Sequence, residues 1–284
     1  MTASSVSGAT AVWVDGVPAQ SLPLPDRGLD FGDGLFETLL LRGDTVLFSN
    51  LHLRRLKRGL EALYFPACLA EVTRLLGSAA AAIGLKNWRW SALRITVTRG
   101  SGPRGYGPPS NPKPRIIMVA TELGPDYGKI LSPAALTLSS VRWPTQPALA
   151  GLKHLNRLEQ VIAAREYRLA GADEALMLNQ SGQPISVVAG SLFLHNEGRL
   201  LTAPLGDCGI AGTRRELIMR RWGPALGLAI EETVLTPQQV EDADEVFYSN
   251  SLVGLRPVAS FGGRSWATYE ICEALYGRYQ EEIR

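Results

Sequence analysis

Lys153 is one of only five lysines in a chain of 284 residues whose positive charge is otherwise carried by arginine. It follows an apolar, turn-rich run, Pro147-Ala148-Leu149-Ala150-Gly151-Leu152, and opens a long amphipathic pattern. Apolar surroundings and a helix N-terminus both disfavour the ammonium form of a lysine. The neutral amine is then nucleophilic enough to form a Schiff base with a carbonyl group. The spacing predicts a helix over residues 154–169, with Leu155, Leu158, Ile162 and Leu169 on its inward face.

Other residues could bind anions. Cys208-Gly209-Ile210-Ala211-Gly212-Thr213-Arg214-Arg215 sets glycines just before a helical pattern, where free backbone amides and the helix dipole converge. Arg54, Arg55, Lys57 and Arg58 crowd one helical stretch. The loop Arg99-Gly100-Ser101-Gly102-Pro103-Arg104-Gly105-Tyr106 carries two arginines and a tyrosine, more than a hairpin connection requires. An arginine fork suits a carboxylate or a phosphate.

The run from Leu149 to Gln160, reading Leu-Ala-Gly-Leu-Lys-His-Leu-Asn-Arg-Leu-Glu-Gln, resembles the cofactor-lysine segment of the fold-type IV pyridoxal-phosphate enzymes. Within that family its wording is nearest to the aminodeoxychorismate lyases. The resemblance implies that Lys153 holds pyridoxal 5'-phosphate. Asp26 to Thr38, followed by His52-Leu53-Arg54-Arg55-Leu56, resembles the family's N-terminal motif and implies Arg55 as a phosphate ligand, with its three basic neighbours solvated. Gly212, Thr213 and Arg214, with Asn250 and Ser251 of the Ser249-Asn250-Ser251 turn, match further cofactor contacts. Arg104 and Tyr106 fall in the family's substrate loop. Phe36 and Thr38 face the site in this resemblance, with Phe36 against substrate and Thr38 or Lys153 as proton donor. The histidines His52, His154 and His195 are read as structural.

One position departs from the pattern. The family places a glutamate against the cofactor's ring nitrogen, five residues before an asparagine; here Ser186 and Ser191 occupy those places. A carboxylate favours the protonated nitrogen, and a hydroxyl does not. The ring becomes a weaker electron sink, which harms transamination more than an elimination driven by aromatisation. The resemblance therefore implies a lyase that eliminates pyruvate from 4-amino-4-deoxychorismate to leave 4-aminobenzoate, a folate precursor. The alternatives are an aminotransferase for branched-chain or D-amino acids, and a repurposed homologue with weakened or lost cofactor chemistry.

The elements that must position these residues follow from periodicity. Residues 11–17 read as a strand turning at Asp15-Gly16, and 35–41, 45–48, 91–98 and 115–120 as strands; 51–63 and 69–83 read as helices. Residues 99–114 are a glycine- and proline-rich loop. The segment 122–133 lacks periodicity and is expected to link a small α+β domain (1–121) to a larger α/β-barrel-like domain (134–284). In the second domain, 135–141, 175–178, 191–194, 200–202 and 245–249 read as strands, and 213–222 and 268–279 as helices. The fold class is α+β. The resemblance adds the two-domain fold-type IV architecture, like that of D-amino-acid aminotransferases, with a cofactor cleft between domains and a homodimer.

Composition narrows the partners. A net charge of +2, with both signs interspersed, points to neither nucleic acid nor a membrane surface. Three well-separated cysteines suit free thiols in a reducing compartment. No cysteine and histidine stand at metal-ligand spacing. Met1 to Ser5 lacks a basic segment leading into an apolar core, and no apolar run approaches the ~20 residues a bilayer requires. A cytoplasmic enzyme is expected.

Overall fold

The computed structural model describes residues 8–124 and 127–284. Met1 to Ser5, and residues 125–126 of the expected linker, lie outside the described residues. The chain divides into two compact units: Met1–Tyr127 with Leu152–Asn156, and Gly128–Gly151 with Arg157–Arg284.

The first unit contains β1 (Thr10–Val14), β2 (Val17–Pro18), α1 (Arg27–Phe31), β3 (Gly34–Arg42), β4 (Thr45–Val46), α2 (Ser49–Ala62), α3 (Leu69–Gly84), β5 (Trp90–Thr98) and β6 (Arg115–Leu123). Asp15 and Gly16 both have positive φ, as the tight β1–β2 turn requires. The sheet order is β2-β1-β6-β5-β3-β4. Alternation gives the sheet two different faces. Leu35, Leu39 and Leu41 of β3 join Leu93, Ile95 and Val97 of β5 in a core closed by Leu56 and Leu60 of α2 and Val72 and Leu75 of α3. The opposite face carries Phe36 and Thr38, paired in register with Thr96 and Arg94.

The second unit contains β7 (Ala134–Leu138), α4 (Leu158–Leu169), β8 (Glu174–Leu178), β9 (Pro184–Val187), β10 (Gly190–Asn196), β11 (Arg199–Thr202), α5 (Thr213–Leu217), α6 (Gly223–Ala225), β12 (Ala229–Glu232), α7 (Pro237–Asp242), β13 (Glu245–Asn250), β14 (Gly254–Phe261), β15 (Arg264–Ser265) and α8 (Glu270–Ile283). A π-helical turn, Ile218–Trp222, joins α5 to α6. Strands run in the order β10-β13-β14-β7-β8-β9, and β9 pairs back onto β10, which closes a six-stranded barrel. Ile185, Val187, Leu192, Val246, Tyr248 and Val258 belong to its buried core.

The helix after Lys153 differs from expectation in two respects. It begins at Leu158, because the preceding backbone is taken by β3: Phe36 N–H donates to the Lys153 carbonyl at 2.9 Å, and Leu155 N–H to the Gly34 carbonyl at 3.0 Å. Its leucines also face outward. Leu158, Ile162 and Leu169 are 74%, 50% and 73% exposed, whereas Gln160 and Ala163 are buried. A small residue at the contact lets α4 lie close against β8, and that choice of face turns the larger side chains out. Among the described residues, no helix is long and apolar enough to cross a membrane.

Candidate active site

Lys153 lies in an extended segment hydrogen-bonded along the start of β3, five residues before α4. The expected helix-dipole contribution is therefore absent. What stands beside the amine instead is an aromatic ring, which attracts the ammonium where a helix N-terminus would repel it: Nζ sits 4.2 Å from the centre of the Phe36 ring. The Arg94 guanidinium lies over the same ring at 3.9 Å. Cations are drawn to the ring's negative face, so Phe36 holds two of them on the open side of the sheet. Partial desolvation draws the pKa of Arg94 down, and no carboxylate among the described residues pairs with it. Thr38, directly opposite Arg94 in register, completes this surface.

One residue along β3, the other face carries a closed charge network. Arg55 Nε donates to Glu37 Oε1 at 2.7 Å, and its Nη2 to Oε2 at 2.5 Å. His52 Nδ1 lies 2.6 Å from Oε2. All three side chains are buried. Burial alone pushes the Glu37 carboxyl up, but Arg55 and His52 outweigh it and hold the pKa down at about 2. Arg54, Lys57 and Arg58 are exposed while Arg55 is not. The guanidinium fork assigned to phosphate thus grips Glu37.

The acidic residues of the N-terminal motif hold the scaffold. Asp26 caps α1 and receives Thr98 Oγ1 and Arg115 Nη1 at 2.9 and 2.8 Å. Asp33 receives both Arg27 Nε (2.9 Å) and Arg99 Nε (2.8 Å). Arg27 then reaches across to the loop after β5, donating to the Gly105, Tyr106 and Gly107 carbonyls at 3.0, 2.7 and 3.3 Å. Arg104 and Tyr106 are exposed on this loop. Arg104 makes no hydrogen bond, ion pair or ring contact among the described residues, and the Tyr106 ring rests against Phe31 at 5.5 Å.

In the second unit the predicted cofactor residues lie at the start of α5, at the end of β13 and on β9. Thr213 Oγ1 and Ser251 Oγ are 3.2 Å apart, and Arg214 Nη2 donates to the Ser251 carbonyl at 3.2 Å. Asn250 serves the turn: its amide oxygen accepts the Leu252 and Val253 N–H groups, and its nitrogen donates to the Ala189 carbonyl. Gly151, two residues before Lys153 in the chain, pairs with the glycine turn; its N–H donates to Gly209 and its carbonyl accepts from Ala211, both at 3.0 Å. Its φ of +76° is strained for any residue with a side chain.

Ser186, Ser191 and Ser249 are directly opposite one another on β9, β10 and β13. They share the barrel face away from Ile185, Val187, Leu192 and Tyr248. The Trp143 indole N–H donates to Ser186 Oγ at 3.0 Å. Gly212 lies so close to Ser191 that a Cβ there would come within 2.5 Å of its hydroxyl oxygen.

Four of these residues were not singled out in the sequence. Arg94 stands on the open face of an alternating strand and is detectable by parity. Arg27 sits inside the N-terminal motif but shows its role only through a contact 79 residues away. Trp143 acts across strands and no local pattern marks it; Ser249 opens the Ser249-Asn250-Ser251 turn, but its own place comes from its register with Ser191.

Residues 34–261 match the family model for class IV amino-transferases. The aminodeoxychorismate lyase of Vibrio harveyi is 30% identical over 249 residues, which cover 87% of this chain and 90% of that protein. A putative branched-chain-amino-acid aminotransferase of Methanocaldococcus jannaschii is 28% identical, with 84% and 82% covered. The crystal structure of 4-amino-4-deoxychorismate lyase from Pseudomonas aeruginosa superposes with a TM-score of 0.87 at 35% identity, covering 96% of this chain and 99% of that one. The chain belongs to the class IV amino-transferase family, the fold-type IV enzymes.

Proposed function

We propose that this chain is a pyridoxal-phosphate-dependent 4-amino-4-deoxychorismate lyase that releases pyruvate and 4-aminobenzoate. The observation that carries the reading is the Phe36 ring with the Lys153 amine and the Arg94 guanidinium both on it. That pairing sets a proton-transferring amine beside a cation suited to a carboxylate, and the substrate has both an amine and two carboxylates.

The residues present fit the cofactor. Gly212 presents backbone with no room for a side chain, and the buried Ser249 hydroxyl has no hydrogen-bond partner among the described residues. Lys153 would hold the cofactor, Gly212, Thr213, Arg214, Asn250 and Ser251 would line its phosphate end, and Ser186 would meet the ring nitrogen. Arg55 would supply phosphate charge from beside Glu37. Bound pyridoxal phosphate supplies the electron sink that acidifies the substrate's amine-bearing carbon.

The Lys153 amine takes the proton from that carbon as general base. Thr38 Oγ1 or the Lys153 ammonium returns a proton to the departing enolpyruvyl group. Arg94, with Arg104 and Tyr106 of the loop, binds the substrate carboxylates. Phe36 walls the amine from water. A homodimer in the cytoplasm completes the reading; the apolar stripe of Leu158, Val161, Ile162 and Leu169 on α4 supports self-association, which sedimentation equilibrium reads directly.

Titration of the purified protein with pyridoxal phosphate should give a visible absorption band that Lys153→Ala lacks. Released 4-aminobenzoate and pyruvate should then appear in equal amounts, and the variant should lose at least roughly 1,000-fold in rate. Stoichiometric consumption of a keto acid without 4-aminobenzoate would establish an aminotransferase instead. The absence of a band with folded protein would refute both.

A further inference from the structure

We propose that Trp143 fixes the Ser186 hydroxyl as a hydrogen-bond donor, so that the serine row of β9, β10 and β13 binds the cofactor's pyridine nitrogen in its unprotonated state. The inference rests on pyridoxal phosphate as the cofactor and assigns Trp143 a positioning role.

The argument begins with what each group can give. An indole N–H only donates, whereas a serine hydroxyl has one proton and two lone pairs. The Trp143 N–H occupies one lone pair of Ser186 Oγ at 3.0 Å, in a buried setting. Among the described residues the Ser186 hydroxyl has no other side-chain partner. Its own proton therefore remains to be given. A neutral pyridine nitrogen accepts that proton, and every group is satisfied. A pyridinium would have to donate to the remaining lone pair, and a buried O–H would be left without an acceptor, which is unfavourable.

The surroundings act in the same direction. Ser191 and Ser249, the in-register neighbours, bring hydroxyls and no carboxylate. On the neighbouring elements Arg157 lies 5.7 Å over the Trp143 ring and Arg214 is bonded to the Ser251 carbonyl, while the Glu174 carboxyl of β8 is engaged by the Ala189 N–H of the β9–β10 turn and burial pushes its pKa up to about 7. A positive nitrogen gains nothing from the two cations. The hydrogen-bond and charge arrangement holds the ring nitrogen unprotonated across the pH range in which the protein stays folded.

The test uses the full-length protein loaded with pyridoxal phosphate isotope-labelled at the ring nitrogen, read by NMR across the pH range in which the protein stays folded. Wild type should show a pyridine-type resonance that does not move with pH. Ser186→Glu should shift it to the pyridinium position. Trp143→Phe frees the hydroxyl to rotate, and the resonance should become pH-dependent. Ser186→Ala, a smaller change that spares the core, should do the same. A cofactor analogue methylated at the ring nitrogen should bind wild type at least roughly 100-fold more weakly than pyridoxal phosphate, and Ser186→Glu should narrow that gap. A pyridinium resonance in wild type overturns this inference and leaves the functional reading standing. So does a wild-type spectrum in both Trp143→Phe and Ser186→Ala. A protein that takes up no cofactor overturns both together.

Discussion

The two faces of β3 handle charge in opposite ways. Toward the helices, Glu37 meets Arg55 and His52 in a buried network with short hydrogen bonds. Toward the open side, Phe36 meets Lys153 and Arg94 with its ring alone. An aromatic face attracts cations without consuming their hydrogen-bond donors. A carboxylate would have taken those donors, as Glu37 takes those of Arg55. Alternation along a single strand thus separates cations paired with a carboxylate from cations set against an aromatic ring.

The sharpest way to break this contrast is at Glu37. Glu37→Gln keeps the shape and removes the charge, leaving Arg55 buried without its counter-ion; stability should fall by about 3 kcal/mol, read from urea denaturation. Because the folded pKa of about 2 lies below the ordinary 4.5, the carboxylate stabilises the fold above the ordinary value. That contribution is lost as pH falls from about 4.5 toward about 2. The wild type should therefore weaken through this window more steeply than the variant. Thr38→Val, one residue on and facing the other way, should stay within about 0.5 kcal/mol. Equal losses at the two positions would remove the distinction between the faces.

What could be read in advance depended on how locally each feature is encoded. The β-hairpin at Asp15-Gly16 and helices α2 and α3 follow from period and turn chemistry, and they stand where residues 11–17, 51–63 and 69–83 place them. Lys153 and the glycine turn before α5 were visible as motifs. The start of α4 was not, because its apolar pattern runs on through residues whose backbone is claimed by β3. Nor was its outward face: helical periodicity marks a stripe but does not say whether the same chain covers it. β9 was missed because four residues containing a proline carry little pattern; its identity comes from closing the barrel between β8 and β10. The partner of Ser186, 43 residues away, lies wholly in the tertiary structure.

Arg94 offers the next test, with a smaller effect on the fold and a larger one on binding. Arg94→Ala removes a charge-assisted contact to substrate carboxylate, so KM should rise by roughly 10- to 100-fold while kcat changes less. Stability should fall only by the cation–ring attraction, about 1 kcal/mol. Arg94→Lys keeps the charge without the fork and should recover part of the loss. An unchanged KM in Arg94→Ala would mean that the open face does not bind the carboxylate, and the contrast with Glu37 would be one of solvation alone.

The smallest expected effect concerns Arg27, which resembles Arg55 in burial but spends most of its donors on backbone. Arg27→Lys retains a cation for Asp33 yet cannot span three carbonyls with a planar fork. Asp33 also keeps Arg99, so the local fold should survive. What changes is the loop: without the fork, the turn carrying Arg104 and Tyr106 opens more often. Cleavage by trypsin after Arg104, already exposed in the native protein, requires that opening and should accelerate by about tenfold. KM should rise by less than that factor if the loop closes again around substrate. An unchanged cleavage rate would show that the Ser101 hydroxyl bond to the Pro25 carbonyl, at 2.8 Å, suffices to hold the loop. Arg27 would then be an element of the scaffold alone.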